Sequence, residues 1–134
     1  MKKLLILLFS ILISFNSYGE WTESIKNVDG DTYYIDKDTI KENNRYVYWW
    51  EMGDFITPYT TFVMFTEVAG IMSEKSYKEG DCGVVRYKNL SVIYYTQSMG
   101  KGEGLDNMVD PDWVYPPPDS VYGYILNYVC DYVD

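Results

Sequence analysis

The stretch "RYVYWWEM", Arg45 to Met52, carries the strongest strand signal of the chain. Aromatic and β-branched residues favour extended backbone, and successive side chains of a strand point to opposite faces of a sheet. This alternation predicts one face with Tyr46, Tyr48, Trp50 and Met52, and a second face with Val47, Trp49 and Glu51. Because both faces carry aromatic rings, we expect both to be covered at least in part.

Upstream of this strand the sequence predicts a β-hairpin. Two strand-like segments, Trp21 to Val28 and Thr32 to Asp36, flank the pair Asp29-Gly30. Such a pair is a strong hairpin signal because glycine accepts the positive φ that a tight turn needs. The polar segment that follows, "KDTIKENN", is predicted to form a short helical turn or a loop.

Downstream, the apolar segment Pro58 to Met72 is β-prone but interrupted by Glu67 and Gly70. It fits either a strand and turn or an exposed flap, and it is too short and too interrupted for a membrane span. Further strands are predicted at three places, which are Ser73 to Lys78, Gly83 to Tyr87 and Leu90 to Thr96.

The last third of the chain predicts a long loop and then a helix. Glycines and the prolines Pro116 to Pro118 mark residues 97–119 as loop. Asp119 or Ser120 can cap a helix, because a short side-chain oxygen accepts hydrogen bonds from the first turn. The predicted apolar stripe of this helix consists of Val121, Tyr124, Ile125, Tyr128 and Tyr132.

The first residues predict export. "MKKLLILLFSILISFNSYG", Met1 to Gly19, has two lysines, an apolar run and small residues before a cleavage point, as a secretory signal peptide does. We expect cleavage before Glu20; an uncleaved anchor is the alternative. Residues 20–134 would then form one domain with no membrane span, located in the periplasm, at the cell surface or in the medium.

Charge excludes one class of partner. The net charge of −9 becomes −11 without the leader, which contains Lys2 and Lys3 and no acidic residue. Nucleic acids and anionic lipid surfaces are bound through basic patches that release counterions. We therefore expect no nucleic acid partner.

Two cysteines, Cys82 and Cys130, enter an oxidising compartment, where an even count favours a disulfide. A redox pair or a metal site would need closer spacing or more ligands. Because Cys130 falls in the last turns of the predicted helix, the bridge would pin that helix to the sheet. The predicted fold class is thus α+β, a single antiparallel sheet with a C-terminal helix tethered to one face by a disulfide.

Catalytic and metal chemistry have little support. The chain contains no histidine, and its acidic pairs, Asp29 with Asp31 and Asp110 with Asp112, lie beside glycine or proline as turn residues do. A calcium loop would need glycine at its sixth position and a closing glutamate at its twelfth, and neither is present. We expect no enzyme activity, no cofactor and no metal site.

The aromatic content of 18% has two explanations. One is a small core with a tyrosine-rich sheet face; the other is a recognition surface, since Tyr and Trp are enriched at interface hot spots. The candidate partner-binding residues are Tyr33, Tyr46, Tyr48 and Trp50 on the sheet, and Trp113 and Tyr115 in the loop. The two arginines, Arg45 and Arg86, are predicted to pair with carboxylates at the sheet edge.

Several short motifs extend in order over nearly the whole mature chain. They are Trp21, "DGDTYYID" at 29–36, "VYWWE" at 47–51, "SYKEGDC" at 76–82, "MGKGEG" at 99–104, Trp113, "PPPDS" at 116–120 and Cys130. In their order and spacing, these motifs resemble the bacterial surface-adhesin protein E family.

This resemblance implies an antiparallel sheet with a C-terminal helix held against its concave side by a disulfide. It also implies a small exported binding protein that can dimerise and that binds host matrix proteins such as vitronectin and laminin. The competing hypothesis is a soluble periplasmic structural or envelope-assembly factor that docks through Pro58 to Met72.

Overall fold

A computed structural model describes residues 21–134, so the predicted signal peptide lies outside the described residues. Within residues 21–134, six strands form one antiparallel sheet in chain order. The α-helix of this part of the chain, α1 (Val121–Val133), packs against one face, which confirms the predicted fold class. The strands are β1 (Trp21–Lys26), β2 (Thr32–Asn43), β3 (Tyr46–Val63), β4 (Thr66–Asp81), β5 (Arg86–Tyr95) and β6 (Leu105–Asn107).

The hairpin between β1 and β2 is confirmed. Gly30 has φ of 94°, the positive value that the turn requires. The side-chain oxygen of Asn27 accepts hydrogen bonds of 3.0 Å from the backbone N–H groups of Asp29 and Asp31. The turn is therefore closed by the side chain of a local asparagine, a residue that often bonds to nearby backbone groups in turns.

The prediction of a helical turn or loop over residues 37–44 is wrong. β2 continues to Asn43, with a shift in its pairing to β3 between Asp36 and Lys41. Thr39 stabilises this irregularity, because its hydroxyl donates to the Asp36 carbonyl at 2.7 Å and accepts from the Trp50 N–H at 3.0 Å. Pairing with a long neighbouring strand thus overrides the polar composition of the segment.

Residues 58–72 form the distal half of the β3–β4 hairpin, the first of the two alternatives. Val63 pairs with Thr66 across a two-residue turn in which Met64 and Phe65 have φ of 50° and 70°. The hairpin end is joined to β6, because Asn107 accepts from the Met64 N–H at 3.1 Å and donates to the Phe62 carbonyl at 3.2 Å. The hairpin therefore does not hang free as a flap.

Two details of the region after β4 differ from prediction. Residues 82–85 form a turn instead of a strand, closed by Asp81, whose carboxylate accepts from the Gly83 N–H at 3.1 Å. The expected break between residues 87 and 90 is absent, since β5 continues through it with a register shift. The loop that follows is held to the sheet by a bridge between Tyr87 and Val114.

The helix begins where predicted but presents a different face. Ser120 is its N-cap and accepts from the Gly123 N–H at 3.1 Å. The buried apolar residues are Ile125, Leu126 and Val129. Tyr124 and Tyr132, assigned to the apolar stripe by sequence, are 46% and 51% exposed. The predicted stripe is correct for Ile125, Val121 and Tyr128, which pack in or against the core, and wrong for these two tyrosines, because tyrosine is apolar enough to enter the pattern and polar enough to face water.

The core lies between α1 and the sheet face beneath it. Ile35, Val47 and Trp49 supply the sheet side of the contact. The disulfide between Cys82 and Cys130 is present, with 5.8 Å between the Cα atoms, and it joins the turn after β4 to the helix. The predicted tether is therefore confirmed. Because it holds α1 against one face of the sheet, the opposite face is not covered by the helix.

Candidate binding face

The sheet face opposite α1, here called the outer face, carries the alternate side chains of β3. Tyr46, Tyr48 and Trp50 lie on it, while Val47 and Trp49 point to the helix. This division is the one that alternation in "RYVYWWEM" predicts. The register of β4 then sets Tyr77 opposite Trp50 and Glu79 opposite Tyr48 on the same face.

Five rings form a row across this face, here called the aromatic row. Trp50 and Tyr48 each contact Tyr77, with ring centroids 5.2 and 6.2 Å apart, and Tyr46 contacts Trp113 at 5.5 Å. Trp113 comes from the long loop, and the backbone bonds between Val114 and Tyr87, of 2.7 and 3.0 Å, hold it in place. Loop and sheet thus build one surface.

One end of the outer face is covered and the other is open. The short 3₁₀ turn Ser98–Gly100 lies over Met52 and Lys75, where a Cβ on Gly100 would overlap the Lys75 side chain. The Gly100 N–H donates to the Ser73 hydroxyl at 2.9 Å, and the Met99 N–H donates to Asp54 at 2.8 Å. The aromatic row lies beyond this cover.

Basic groups surround the Trp113 end of the row. The Arg86 guanidinium and the Lys88 ammonium lie 4.2 and 4.5 Å from the centroid of the Trp113 ring, and Arg45 lies 5.1 Å from that of Tyr46. Cations over aromatic rings are attracted by the negative face of the ring. In a strongly acidic protein, this end of the face is locally cationic.

The cations are held by two carboxylates. Asp81 accepts from Arg86 at 3.1 Å and lies 3.6 Å from Arg45, as predicted for the two arginines. Burial opposes ionisation of Asp81, but hydrogen bonds from the Val84 N–H and from Arg86 outweigh it and lower the pKa of the carboxyl. Asp81 is therefore a fixed anion at neutral pH.

Glu79 is the second carboxylate, and it lies beside the aromatic row. It accepts from the Tyr48 hydroxyl at 2.9 Å and pairs with Lys88 at 3.4 Å. Burial and this bond to Glu79 raise the pKa of Tyr48, so its hydroxyl stays protonated and oriented. The rings of the row are consequently held in defined positions before any partner arrives.

A depression of about 330 Å³ adjoins the row at its Trp50 end. Trp50 and Tyr77 line it together with Asp38, Thr39 and Lys41 from the irregular part of β2. A concave patch lined by aromatic and polar side chains is suited to hold a side chain of a partner.

Five of the six predicted binding residues lie on this face or at its rim. Tyr46, Tyr48, Trp50 and Trp113 belong to the aromatic row, and Tyr115 accepts from Arg86 at 3.4 Å at its edge. Tyr33 lies apart, on the helix-covered face, where it is 8% exposed and contacts Tyr122. Membership of a strand was therefore not enough to predict which face of the sheet Tyr33 occupies.

Sequence reasoning missed Tyr77 and the part played by Lys88. Tyr77 alternates with Glu79 in "SYKEGDC", which is a usable signal for a shared face. Its position between Tyr48 and Trp50 depends on the register between β3 and β4, and no single-sequence pattern specifies that register.

In the part of the chain that the structure describes, no helix is both long and apolar enough to cross a membrane. Among residues 21–134, no cluster of three or more metal-ligating side chains is present.

The fold is shared with solved structures of protein E from Haemophilus influenzae. One crystal form of it superposes with a TM-score of 0.66 at 19% identity, covering 87% of this chain and 91% of that one. A structure of protein E from non-typeable H. influenzae gives a TM-score of 0.61 at 18% identity, covering 85% and 76%. No curated protein sequence matches the chain.

The family model for surface-adhesin protein E matches residues 21–131, which is nearly all of the described chain. The match includes both cysteines of the tether, the strands of the aromatic row and the loop that carries Trp113. The protein therefore belongs to the surface-adhesin protein E family, whose members are adhesin-like surface proteins.

Proposed function

We propose that the protein is an exported, non-enzymatic adhesin that binds a protein partner through the outer face. The observation that carries this proposal is the aromatic row, which lies on the sheet face away from α1 and ends in a cluster of cations. Aromatic rings and arginine are the residue types that dominate interface hot spots.

The chemistry of the face indicates what it would bind. The rings offer large contact area, and little side-chain entropy is lost because their positions are already fixed. Arg45, whose side chain is 66% exposed, remains available to a carboxylate of the partner. We infer a partner with an apolar patch beside an acidic group, and propose host matrix proteins of the vitronectin or laminin type.

Binding of the purified exported protein to immobilised vitronectin and laminin at physiological salt tests this proposal. Trp50→Ala and Trp113→Ala should each weaken binding at least tenfold, since a hot-spot truncation costs about 2 kcal/mol or more. Tyr124→Ala is the matched control, because Tyr124 is an exposed tyrosine on α1 outside this face. Its affinity should equal that of the unsubstituted protein.

Two results would contradict the proposal at different levels. Folded protein that binds neither matrix protein would remove the matrix-adhesin function. Binding that Trp50→Ala and Trp113→Ala leave unchanged would keep the adhesin function and move its site away from the outer face.

A second candidate function is a periplasmic structural or assembly factor that docks through the tip of the β3–β4 hairpin. The observation that favours it is exposure of apolar side chains there, since Phe62, Met64 and Phe65 are 65%, 52% and 84% exposed. Met64 and Phe65 also occupy a turn with positive φ, where asparagine and glycine are the favoured residues. Strained backbone of this kind is characteristic of functional positions.

The double variant Met64→Asn/Phe65→Gly tests the tip. It should raise stability by about 1 kcal/mol, because the new residues accept positive φ with less strain. Capture of a partner by the hairpin tip should be lost. Cell fractionation separates the two functions. Exclusively periplasmic protein with no protease-accessible surface pool favours the assembly factor, and a surface pool favours the adhesin.

A further inference from the structure

The sheet face under α1, here called the inner face, is not filled completely by the helix. Beyond Tyr122, at the start of α1, two adjoining cavities of about 360 and 240 Å³ lie over the sheet, and Glu74 and Tyr122 line both. Tyr59 of β3 lines the larger cavity and Tyr94 of β5 lines the smaller one, and the centroids of their rings are 6.5 Å apart. The larger volume is within the range of small-ligand sites.

The smaller cavity already contains an ammonium group of the protein. Lys78 lines it, and its Nζ lies 4.0 Å from the centroid of the Tyr122 ring and 4.5 Å from that of Tyr87. Glu51 pairs with this ammonium at 3.1 Å, and both side chains are almost fully buried. Two rings and a carboxylate thus suffice to hold a cation in this part of the fold.

The larger cavity repeats this arrangement without a cation of its own. Its walls are the rings of Tyr33, Phe55, Tyr59 and Tyr122, and its carboxylates are Asp31 and Glu74. Among the described residues that line it, none is basic.

The walls of the larger cavity are held in place by contacts with one another. Tyr33 contacts Tyr122 edge to face at 5.8 Å, and Phe55 contacts Tyr59 at 5.1 Å. Asp31 accepts from the backbone N–H of Ile56 at 3.0 Å, which holds the β1–β2 turn against the hairpin. The cavity is therefore largely preformed, as ligand sites usually are.

We propose that the larger cavity binds a primary alkylammonium group, supplied by a free amine or by a lysine side chain of another protein. Glu74 would form the ion pair, and the rings of Tyr33, Tyr59 and Tyr122 would contact the cation. A primary ammonium fits better than a quaternary one, because the carboxylate accepts hydrogen bonds that only an N–H group can donate.

The electrostatics of Glu74 support a cationic ligand. Burial raises the pKa of this carboxyl and Glu51 adds to the effect, whereas Lys78 and the hydrogen bond of 3.3 Å from Tyr59 oppose it. Ionised Glu74 is therefore only partly compensated by the protein. An ammonium in the larger cavity would supply the missing charge.

Titration of the exported protein with n-butylammonium chloride at constant ionic strength, followed through tyrosine ring resonances by NMR, tests the proposal. Saturable shifts of the cavity tyrosines are expected. Glu74→Gln should weaken the affinity at least tenfold, whereas Glu67→Gln, which changes an exposed carboxylate on the same strand, should leave it unchanged. A cooperative thermal unfolding transition of Glu74→Gln would show that this variant is folded.

Comparison probes complete the test. n-Butanol and tetramethylammonium should each bind at least tenfold more weakly; equal binding of either would overturn the ammonium assignment. Absence of saturable shifts, or equal affinity of Glu74→Gln, would overturn the site. Binding of Nα-acetyl-lysine amide with an affinity similar to that of n-butylammonium would identify a lysine side chain as a source, whereas binding of n-butylammonium without binding of this amide would identify a free amine. Trp50→Ala should not change amine binding, so this test is independent of the outer face.

Discussion

Gly80 illustrates how one residue permits the contact between helix and sheet. A Cβ at this position would lie 2.8 Å from Leu126 Cδ1 and 2.9 Å from Trp49 Cζ3. Both neighbours are fully buried, so neither can move without disturbing the core. The absence of a side chain at Gly80 therefore sets how closely α1 approaches β4.

Gly80→Ala should lower the free energy of unfolding by about 1–3 kcal/mol, the usual cost of overpacking a tight core. Chemical denaturation measures this loss directly. Gly83→Ala is the control, because its added Cβ would come no closer than 3.5 Å to a neighbouring atom. Equal stability of Gly80→Ala and the unsubstituted protein would show that the helix shifts without cost.

Glu74 should make stability depend on pH. Because burial raises its pKa in the folded protein, the folded state binds the proton more tightly than the unfolded chain. Stability from this group is present at acidic pH and is lost as pH rises through the folded pKa. Glu74→Gln should therefore unfold at a higher temperature than the unsubstituted protein at pH 7, with the difference shrinking toward pH 4.

Thermal unfolding of both proteins between pH 4 and pH 8 measures this effect. Asp81 acts in the opposite direction, since its pKa is lowered, but it is common to both proteins and cancels from the comparison. A lower unfolding temperature for Glu74→Gln at pH 7 would show that ionised Glu74 stabilises the fold.

Among the elements, α1 depends on two attachments. Ser120 caps its first turn and Cys130 bonds its last turns to the segment after β4. At the first turn, a Cβ on Gly123 would lie 2.7 Å from the Pro117 carbonyl, so glycine is needed where the proline segment meets the helix. The motif "PPPDS" is thus explained by how the loop enters the helix.

Cys130→Ser should destabilise the fold strongly, because closing a loop of 48 residues is worth about 4 kcal/mol in the chain-entropy model. Thermal unfolding of this variant and of Cys82→Ser/Cys130→Ser should give similarly lowered transitions. Thiol titration of freshly exported, unfolded protein should find no free thiol. Two titratable thiols would contradict the bridge.

For the whole molecule, export is expected to change both the length and the net charge of the chain. The signal peptide should be removed before Glu20, which leaves a domain of net charge −11. Intact-mass analysis of the exported protein should therefore give the mass of residues 20–134 with one disulfide. Recovery of a chain that begins at Met1 in the membrane fraction would instead show an uncleaved anchor.

Much of the architecture was predictable from the sequence, because strand alternation, turns and helix caps depend on residues that are close together in the chain. Alternation in "RYVYWWEM" assigned the faces of β3, Asp29-Gly30 placed a turn, and Ser120 placed the start of α1. The continuation of β2 through Lys37 to Asn43 was not predictable, because its backbone bonds depend on β3, a partner that no local pattern identifies.

The class of fold, the tether between Cys82 and Cys130 and the family motifs were predictable from the chain alone, since these follow from residue types and their order. Which rings contact one another depends on the folded chain. The register between β3 and β4 places Tyr77 beside Tyr48 and Trp50, the loop brings Trp113 to Tyr46, and the packing of α1 on the sheet places Tyr122 beside Glu74 in one cavity. Contacts between distant segments depend on how strands pair and bend, and neither property is encoded at any single position.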